Sequence, residues 1–174
     1  MLETIRLLRE EESIHFQITG AGSNYDRLRD ACEADHLTHV SFEGYAPLDQ
    51  LSEHLALADC SVVIFNAAFR DVLLPSKYYG ILASGRAVLL ISGCVSDIAR
   101  DIEHDQIGAT FDHGQAQELA DTLRTWQANR DAVCQMGRRA RALYEQRYHK
   151  TVILEAYRHA LQQVSERGIG YVNH

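Results

Sequence analysis

Short apolar runs rich in β-branched and aromatic residues recur along the chain at residues 14–19, 39–42, 60–65, 87–92 and 107–111. Their length and composition predict strands. The segments between them, 24–35, 48–58, 76–84 and 96–103, carry apolar residues at three-to-four spacing and predict helices. That β-α alternation dictates a parallel sheet with helices on both faces, an α/β, Rossmann-like doubly wound domain. SVVIF and AVLLIS are apolar without alternation, as expected of central strands covered on both sides. From residue 115 the pattern changes to consecutive helices at about 115–127, 130–148 and 151–165, so the sheet should end near Phe111. The two prolines, Pro47 and Pro75, each fall where a helix should begin and a missing N–H costs least. A partly polar helix at residues 2–9 precedes the first strand, whereas a doubly wound sheet normally begins with a strand, so the sequence reads as a piece of something longer.

Composition narrows the class. A chain of 174 residues with 46% hydrophobic residues is sized for one core and one domain. A formal charge of -7 disfavours a surface that tracks nucleic-acid phosphates, while leaving room for a local site that binds a small anion. Cys32, Cys60, Cys94 and Cys134 are far apart and form no CxxC pair, which fits reduced packing thiols and a cytoplasmic setting. Residues 1–13 include Glu3, Glu10, Glu11 and Glu12 and no apolar leader core, and no stretch reaches the length of a membrane span.

Two segments suggest chemistry. In ITGAGSNYDRL a strand runs into Gly20-Ala21-Gly22 and then a helix, a turn that lets backbone approach a ligand and offers a helix N-terminus to negative charge. It is not a dinucleotide fingerprint, because the third glycine would fall at Tyr25, and a plain tight turn is the alternative. In LLPSKYYGILASGRAVLLIS, Pro75 sits just inside a helix start and Lys77 adds a positive charge beside first-turn N–H groups that have no intrahelical partner. This helix follows the central strand SVVIF, so its N-terminus belongs at the carboxyl edge of the sheet, where open α/β domains bind ligands. A capped helix with one solvated lysine is the alternative here.

PSKYYGILASGRAVL resembles the P-S-K-x-Y-G-I-L-A-x-G-R-P-V segment of group 1, or family 4, glycosyltransferases of GT-B fold. HFQITGAGSNYDRLR is similar to that family's glycine turn and helix, and HVSFEGYAPLDQLSEHLALADCSVV to its following strand, helix and strand. IGATFDHGQAQELADTL and MGRRARALYEQRY resemble its terminal strand and helices, so the likeness runs from His15 to about Val164. The resemblance implies the C-terminal, donor-binding domain of an enzyme that moves a sugar from a nucleotide-diphosphate sugar to a saccharide or lipid-linked acceptor, a hexosyltransferase-like role in polysaccharide biosynthesis. It implies that Gly20 and Gly22 shape the floor of the donor site, that Gly44 and Tyr45 lie beside the base, and that Pro75, Ser76 and Lys77 face the diphosphate, with Gly80 also at the site. Many members carry two glutamates seven residues apart where this chain has Val72 and Gly80, and the second usually holds the ribose hydroxyls; Asp71 is the nearest remaining carboxylate. Arg86-Ala87 stands in place of the commoner Arg-Pro. The resemblance also implies that an N-terminal acceptor domain is missing, together with a strand and loop that usually precede the first helix and supply an Arg and a Lys. The chain alone is then expected to bind donor weakly and to transfer no sugar. No cofactor beyond the donor substrate is expected, and any membrane contact would be peripheral, at the inner face, through the full enzyme.

The remaining features read more plainly. His36 and His39 have a three-residue spacing but straddle a helix-strand junction with no third ligand, so no metal is expected. Arg138, Arg139, Arg141, Arg147 and Lys150 concentrate on one helical segment, which Glu145 dilutes; a solvated face is favoured over a lipid patch. Tyr144, Tyr148 and Tyr157 recur at near-helical spacing, as packing residues would. No nucleophilic triad is legible, and no catalytic residue is assigned. The rival to a donor domain is a non-catalytic nucleotide-binding or interaction module of the same fold, which fold alone does not separate. An epimerase sharing the GT-B arrangement fits less well with the PSK segment.

Overall fold

The computed structural model describes residues 1–47, 49–64, 76–93 and 96–166. Five strands, β1 (Phe16–Thr19), β2 (Val40–Glu43), β3 (Cys60–Ile64), β4 (Ala87–Ile91) and β5 (Gly108–Phe111), alternate with helices α1 (Leu2–Leu7), α2 (Ser23–Ala34), α3 (Leu51–Ala56), α4 (Ser76–Ser84) and α5 (Asp97–His104). Helices α6 (Ala116–Ala128) and α7 (Arg130–Leu143), a π turn (Tyr144–Tyr148) and α8 (Lys150–Glu166) complete the elements of the described residues.

β4 shows why the domain is doubly wound. All five of its residues are buried. Val88 and Leu90 pack with Tyr78, Ile81, Ile98, Ile102 and Leu143 on one face. Ala87, Leu89 and Ile91 pack with Phe111, Leu119 and Trp126 on the other. A continuous apolar run therefore becomes a strand with a core on each side. β3, β4 and β5 pair in that order, all parallel, with Cys60 opposite Ala87 and Val88 opposite Gly108.

The expected sheet is divided. β1 and β2 form a separate parallel ladder, with Phe16 opposite Val40, and among the described residues no ladder joins β1 to β3. Hydrophobic pattern dictates which segments are strands, but pairing is long-range, so the pattern alone does not reveal which strands lack a neighbour. The two ladders are bridged on one face by Arg124 of α6, which donates to the Leu7 carbonyl at 2.8 Å and to Glu11 at 2.9 Å, just past α1.

Observed ends differ from those expected by a few residues, except at two places. The helix expected at 48–58 is confined to Leu51–Ala56, so Pro47 lies in the approach to it and not in its first turn; the Gln50 N–H instead caps back onto the Pro47 carbonyl at 3.0 Å. The helix expected at 130–148 ends at Leu143 and widens into the π turn, which carries Tyr148 and Arg147 onto Asp101 of α5 at 2.6 Å and 3.2 Å. Such widened turns adjust where side chains project. The Asn129 side chain accepts from the Ala132 N–H and starts α7 directly after α6.

Three members of the basic concentration are structural ties. Arg139 donates twice to the Gln106 carbonyl, Arg141 reaches Glu145 and the Ala83 carbonyl, and Arg147 meets Asp101 and Asp105. Tyr144 and Tyr148 pack against the core, whereas Tyr157 is 67% exposed. Tyr157 belongs to an apolar stripe on α8 with Ile153, Leu154, Leu161 and Val164, all exposed. α6 and α7 bury their apolar faces through Leu119, Trp126, Val133 and Leu143, so among the described residues from 115 onward the exposed large apolar side chains lie on α8. An unpartnered stripe of this kind is expected to drive self-association of the isolated chain. Light scattering should show a concentration-dependent mass that Leu154→Glu with Leu161→Glu returns to a monomer; a wild-type monomer at high concentration would remove this expectation.

Candidate donor-binding site

The carboxyl edge of β1 and β2 holds four of the expected residues. The Gly20 N–H continues the ladder onto the Glu43 carbonyl at 3.1 Å, and the chain then turns through Gly20 at φ 144° and Gly22 at φ 111°. Both angles disfavour an L side chain, which is the physical reason for glycine here. Gly22 is the N-cap of α2 and supplies no side-chain cap, so the first-turn N–H groups stay open. The Tyr45 ring lies 3.8 Å from where a Gly20 Cβ would stand, and is itself 76% exposed. Space is open around the Cβ positions of Gly22 and Gly44. The arrangement is a glycine floor with an exposed aromatic ring beside it.

A Cβ at Gly22 has nothing within 4 Å, so the effect of Gly22→Val is expected to come chiefly from backbone strain of roughly 1–3 kcal/mol at that turn. Reduced nucleotide affinity in a variant that still folds is the expected calorimetric result; unchanged affinity would count against a ligand-facing turn.

Sequence reasoning missed a polar group at the same edge. His54 of α3 shares a hydrogen bond with Thr19 Oγ1 at 2.8 Å, and its Nδ1 lies 3.9 Å from Glu43 Oε2. Gln17 donates to Glu43 at 2.8 Å, and the Tyr25 hydroxyl donates to the Glu43 carbonyl at 3.2 Å. Glu43 and Thr19 end their strands, a positional signal that points to the edge, but nothing in the sequence pairs them with His54.

The second cluster begins at α4. Ser76 and Lys77 are exposed in its first turn, and among the described residues Lys77 forms no ion pair. Pro75, Asp71 and Val72 lie outside the described residues. Tyr78 is fully buried behind the first turn and its hydroxyl faces Asp101 at 3.5 Å, while Tyr148 donates to the same carboxylate at 2.6 Å. Burial first, then the hydrogen bond to Asp101, raises the Tyr148 phenol above its ordinary range, and burial with the Asp101 charge does the same for Tyr78. Both stay protonated as donors, and the pair holds the start of α4 against α5. Gly80 faces α3, with Leu55 Cδ1 3.5 Å from its Cβ position. A position where many family members place a carboxylate is thus a helix contact here.

Cys32 and Cys60 fit packing roles, whereas Cys134 is exposed and Cys94 lies outside the described residues. Burial pushes the Cys60 thiol up to about 12 and raises that of Cys32, which keeps both neutral. Among the described residues no three His, Cys, Asp or Glu side chains group as a metal site; His39 instead meets the Ile5 carbonyl at 3.1 Å. No helix among the described residues is long and apolar enough to cross a membrane.

A glycine turn at the end of β1 and an exposed lysine in the first turn of α4 sit on a doubly wound α/β frame. The sequence matches the glycosyl transferases group 1 family across residues 1–129, and the chain belongs to that family. It is 23% identical over 162 residues to WbjE of Pseudomonas aeruginosa, which is named as a glycosyltransferase, covering 90% of this chain and 38% of WbjE. Among solved structures it resembles TarM, with a TM-score of 0.73 at 20% identity over 90% of this chain and 30% of TarM. It also resembles Anabaena Alr3699/HepE in complex with UDP-glucose, with a TM-score of 0.72 at 17% identity over 93% of this chain and 44% of that one. The chain therefore spans 30% to 44% of the length of these relatives.

Proposed function

We propose that this chain is the donor-binding domain of a glycosyltransferase and takes a nucleotide-diphosphate sugar at the carboxyl edge of its strands. The observation that carries the reading is the exposed Lys77 in the first turn of α4, where N–H groups without an intrahelical partner and a full positive charge can act on one diphosphate. Gly20 and Gly22 with Tyr45 form the floor and wall for the nucleoside, and the Thr19, Glu43 and His54 group lines the same edge. Family membership and the UDP-glucose complex of HepE support a nucleotide sugar as donor.

Sugar transfer needs positive charge and oriented donors where the departing diphosphate gathers negative charge, and an acceptor held in line with the sugar carbon. The α4 first turn and Lys77 supply the former. An acceptor-binding domain in a longer enzyme supplies the latter, with a saccharide or a lipid-linked saccharide as acceptor. Gly80, which brings no carboxylate to the ribose, favours as second reading a nucleotide-binding module without transfer activity.

A thermal-shift panel of UDP, GDP, ADP and their sugar conjugates tests the binding claim. A ligand present at about 100 times its dissociation constant stabilises the folded state by about 2.7 kcal/mol, an easily read shift. Stabilisation by one nucleotide and its sugar conjugate is expected. A flat response to all of them would overturn the proposal, and binding without transfer in the presence of an acceptor domain would favour the second reading.

A further inference from the structure

The first turn of α4 has two faces. Ser76 and Lys77 are exposed, whereas Tyr78 beside them is fully buried and Tyr79 is half-buried. The buried face meets the π turn. Tyr148 lies edge-on to Tyr79 at 4.9 Å and to Tyr78 at 6.4 Å, and Tyr78 and Tyr79 stand 5.5 Å apart, so three rings close on one another behind the turn that carries Lys77.

One carboxylate gathers the polar ends of this cluster. Asp101 accepts from the Tyr148 hydroxyl at 2.6 Å and from Arg147 at 3.2 Å, with the Tyr78 hydroxyl at 3.5 Å. Its side chain is only 18% exposed, so these bonds form largely away from water, where they are electrostatically stronger. Asp101 is also a fixed post, because Ile98 and Ile102 of the same helix are buried in the core with Val88 and Leu90. Arg147 and Tyr148 are consecutive, and successive side chains of a regular α-helix project about 100° apart. Both reach one carboxylate where the helix widens.

The π turn is also where α8 leaves the body. From Lys150 to Ser165 Val152 is half-buried and every other residue is exposed, so α8 is held chiefly at its start. A change in the direction of α8 therefore acts on Arg147 and Tyr148, and Asp101 and the two tyrosines of α4 receive it.

We propose that the π turn regulates the diphosphate subsite: Tyr148 and Asp101 are positioning residues for the first turn of α4, and through them the direction of α8 sets how well Lys77 and the neighbouring N–H groups grip a diphosphate. The inference rests on the donor-site reading and adds to it a lever outside the site. Hydrogen bonds weaken steeply as their angle departs from linear, and donors placed in advance lose less on binding, so a small tilt of this turn is felt by the ligand. Coupling of this kind is reciprocal, and a bound diphosphate should in turn steady the π turn.

Calorimetric titration of the whole chain with UDP, GDP and ADP, each beside its nucleoside, tests this. Tyr148→Phe keeps the ring packing and deletes only the hydroxyl bond to Asp101. It should weaken the diphosphate that wild type prefers by about threefold to tenfold, the worth of one hydrogen bond, while nucleoside affinity stays within about twofold. Asp101→Ala should lose at least as much, and Asp101→Asn, which keeps an acceptor for the Tyr148 hydroxyl, should recover most of it. Amide exchange at residues 144–152 should slow by about threefold or more when that diphosphate is added to wild type, but not with the nucleoside and not in Tyr148→Phe. If wild type prefers a diphosphate and Tyr148→Phe keeps the whole preference, the coupling is overturned and the donor site stands. Loss of nucleoside and diphosphate together in these variants would show a general structural role and overturn it as well. Wild type that prefers no diphosphate over its nucleoside would remove the donor site and the coupling with it.

Discussion

Gly108→Ala is expected to destabilise the fold by about 3 kcal/mol or more, at or beyond the upper end of what overpacking usually costs. A Cβ at Gly108 would stand 1.8 Å from the Val88 carbonyl oxygen and 2.7 Å from its carbon, both backbone atoms of β4. No rotamer change relieves that contact. β5 must move away from the strand that carries both cores, and the ladder from Val88 to Ile91 loosens with it. For a domain of this size the loss corresponds to a melting point lower by roughly 6–12 °C. Gly44→Ala is the matched control, because open space surrounds its Cβ position and its effect should fall within about 0.5 kcal/mol. Urea or thermal denaturation of the two variants side by side checks the expectation; equal stability would show that β4 and β5 are not packed as described.

The contrast between these glycines marks how far sequence reading reaches. Gly20 and Gly22 were legible because a glycine pair between a strand and a helix has a local cause, and both adopt positive φ. Gly108 gave no such sign: its reason is a neighbouring backbone brought close by strand pairing. The same division runs through the fold. AVLLI announced a strand buried on both faces, while the split into two ladders depends on partners distant in the chain. At the site, Lys77 was visible from its place after Pro75, but the link between Thr19 and His54 joins residues 35 positions apart. The π turn was hidden for a related reason. Its apolar spacing continues that of α7, and only the reach of Tyr148 to Asp101 reveals why the helix widens.

Lys77→Ala should weaken a nucleoside diphosphate by tenfold or more while leaving the nucleoside nearly unchanged. Charge-assisted hydrogen bonds contribute roughly 1.5–3 kcal/mol when the partner is held in place. Lys77 is exposed and spends its charge on no ion pair among the described residues, so its replacement breaks no such pair and should leave stability within about 0.5 kcal/mol of wild type. The helix dipole adds about 0.3–1 kcal/mol per nearby anionic charge and survives the substitution, so weak diphosphate binding should persist. Raised salt should narrow the gap between wild type and variant, since screening acts on an exposed charge.

The most direct test is calorimetric titration of wild type and Lys77→Ala with the preferred nucleoside diphosphate and with its nucleoside, at one salt concentration. A donor site at α4 predicts that wild type prefers the diphosphate and that the substitution removes at least tenfold of that preference without touching nucleoside affinity. Equal diphosphate binding by a folded Lys77→Ala protein would contradict the placement of the diphosphate at Lys77, and equal binding of diphosphate and nucleoside by wild type would contradict a donor site there altogether.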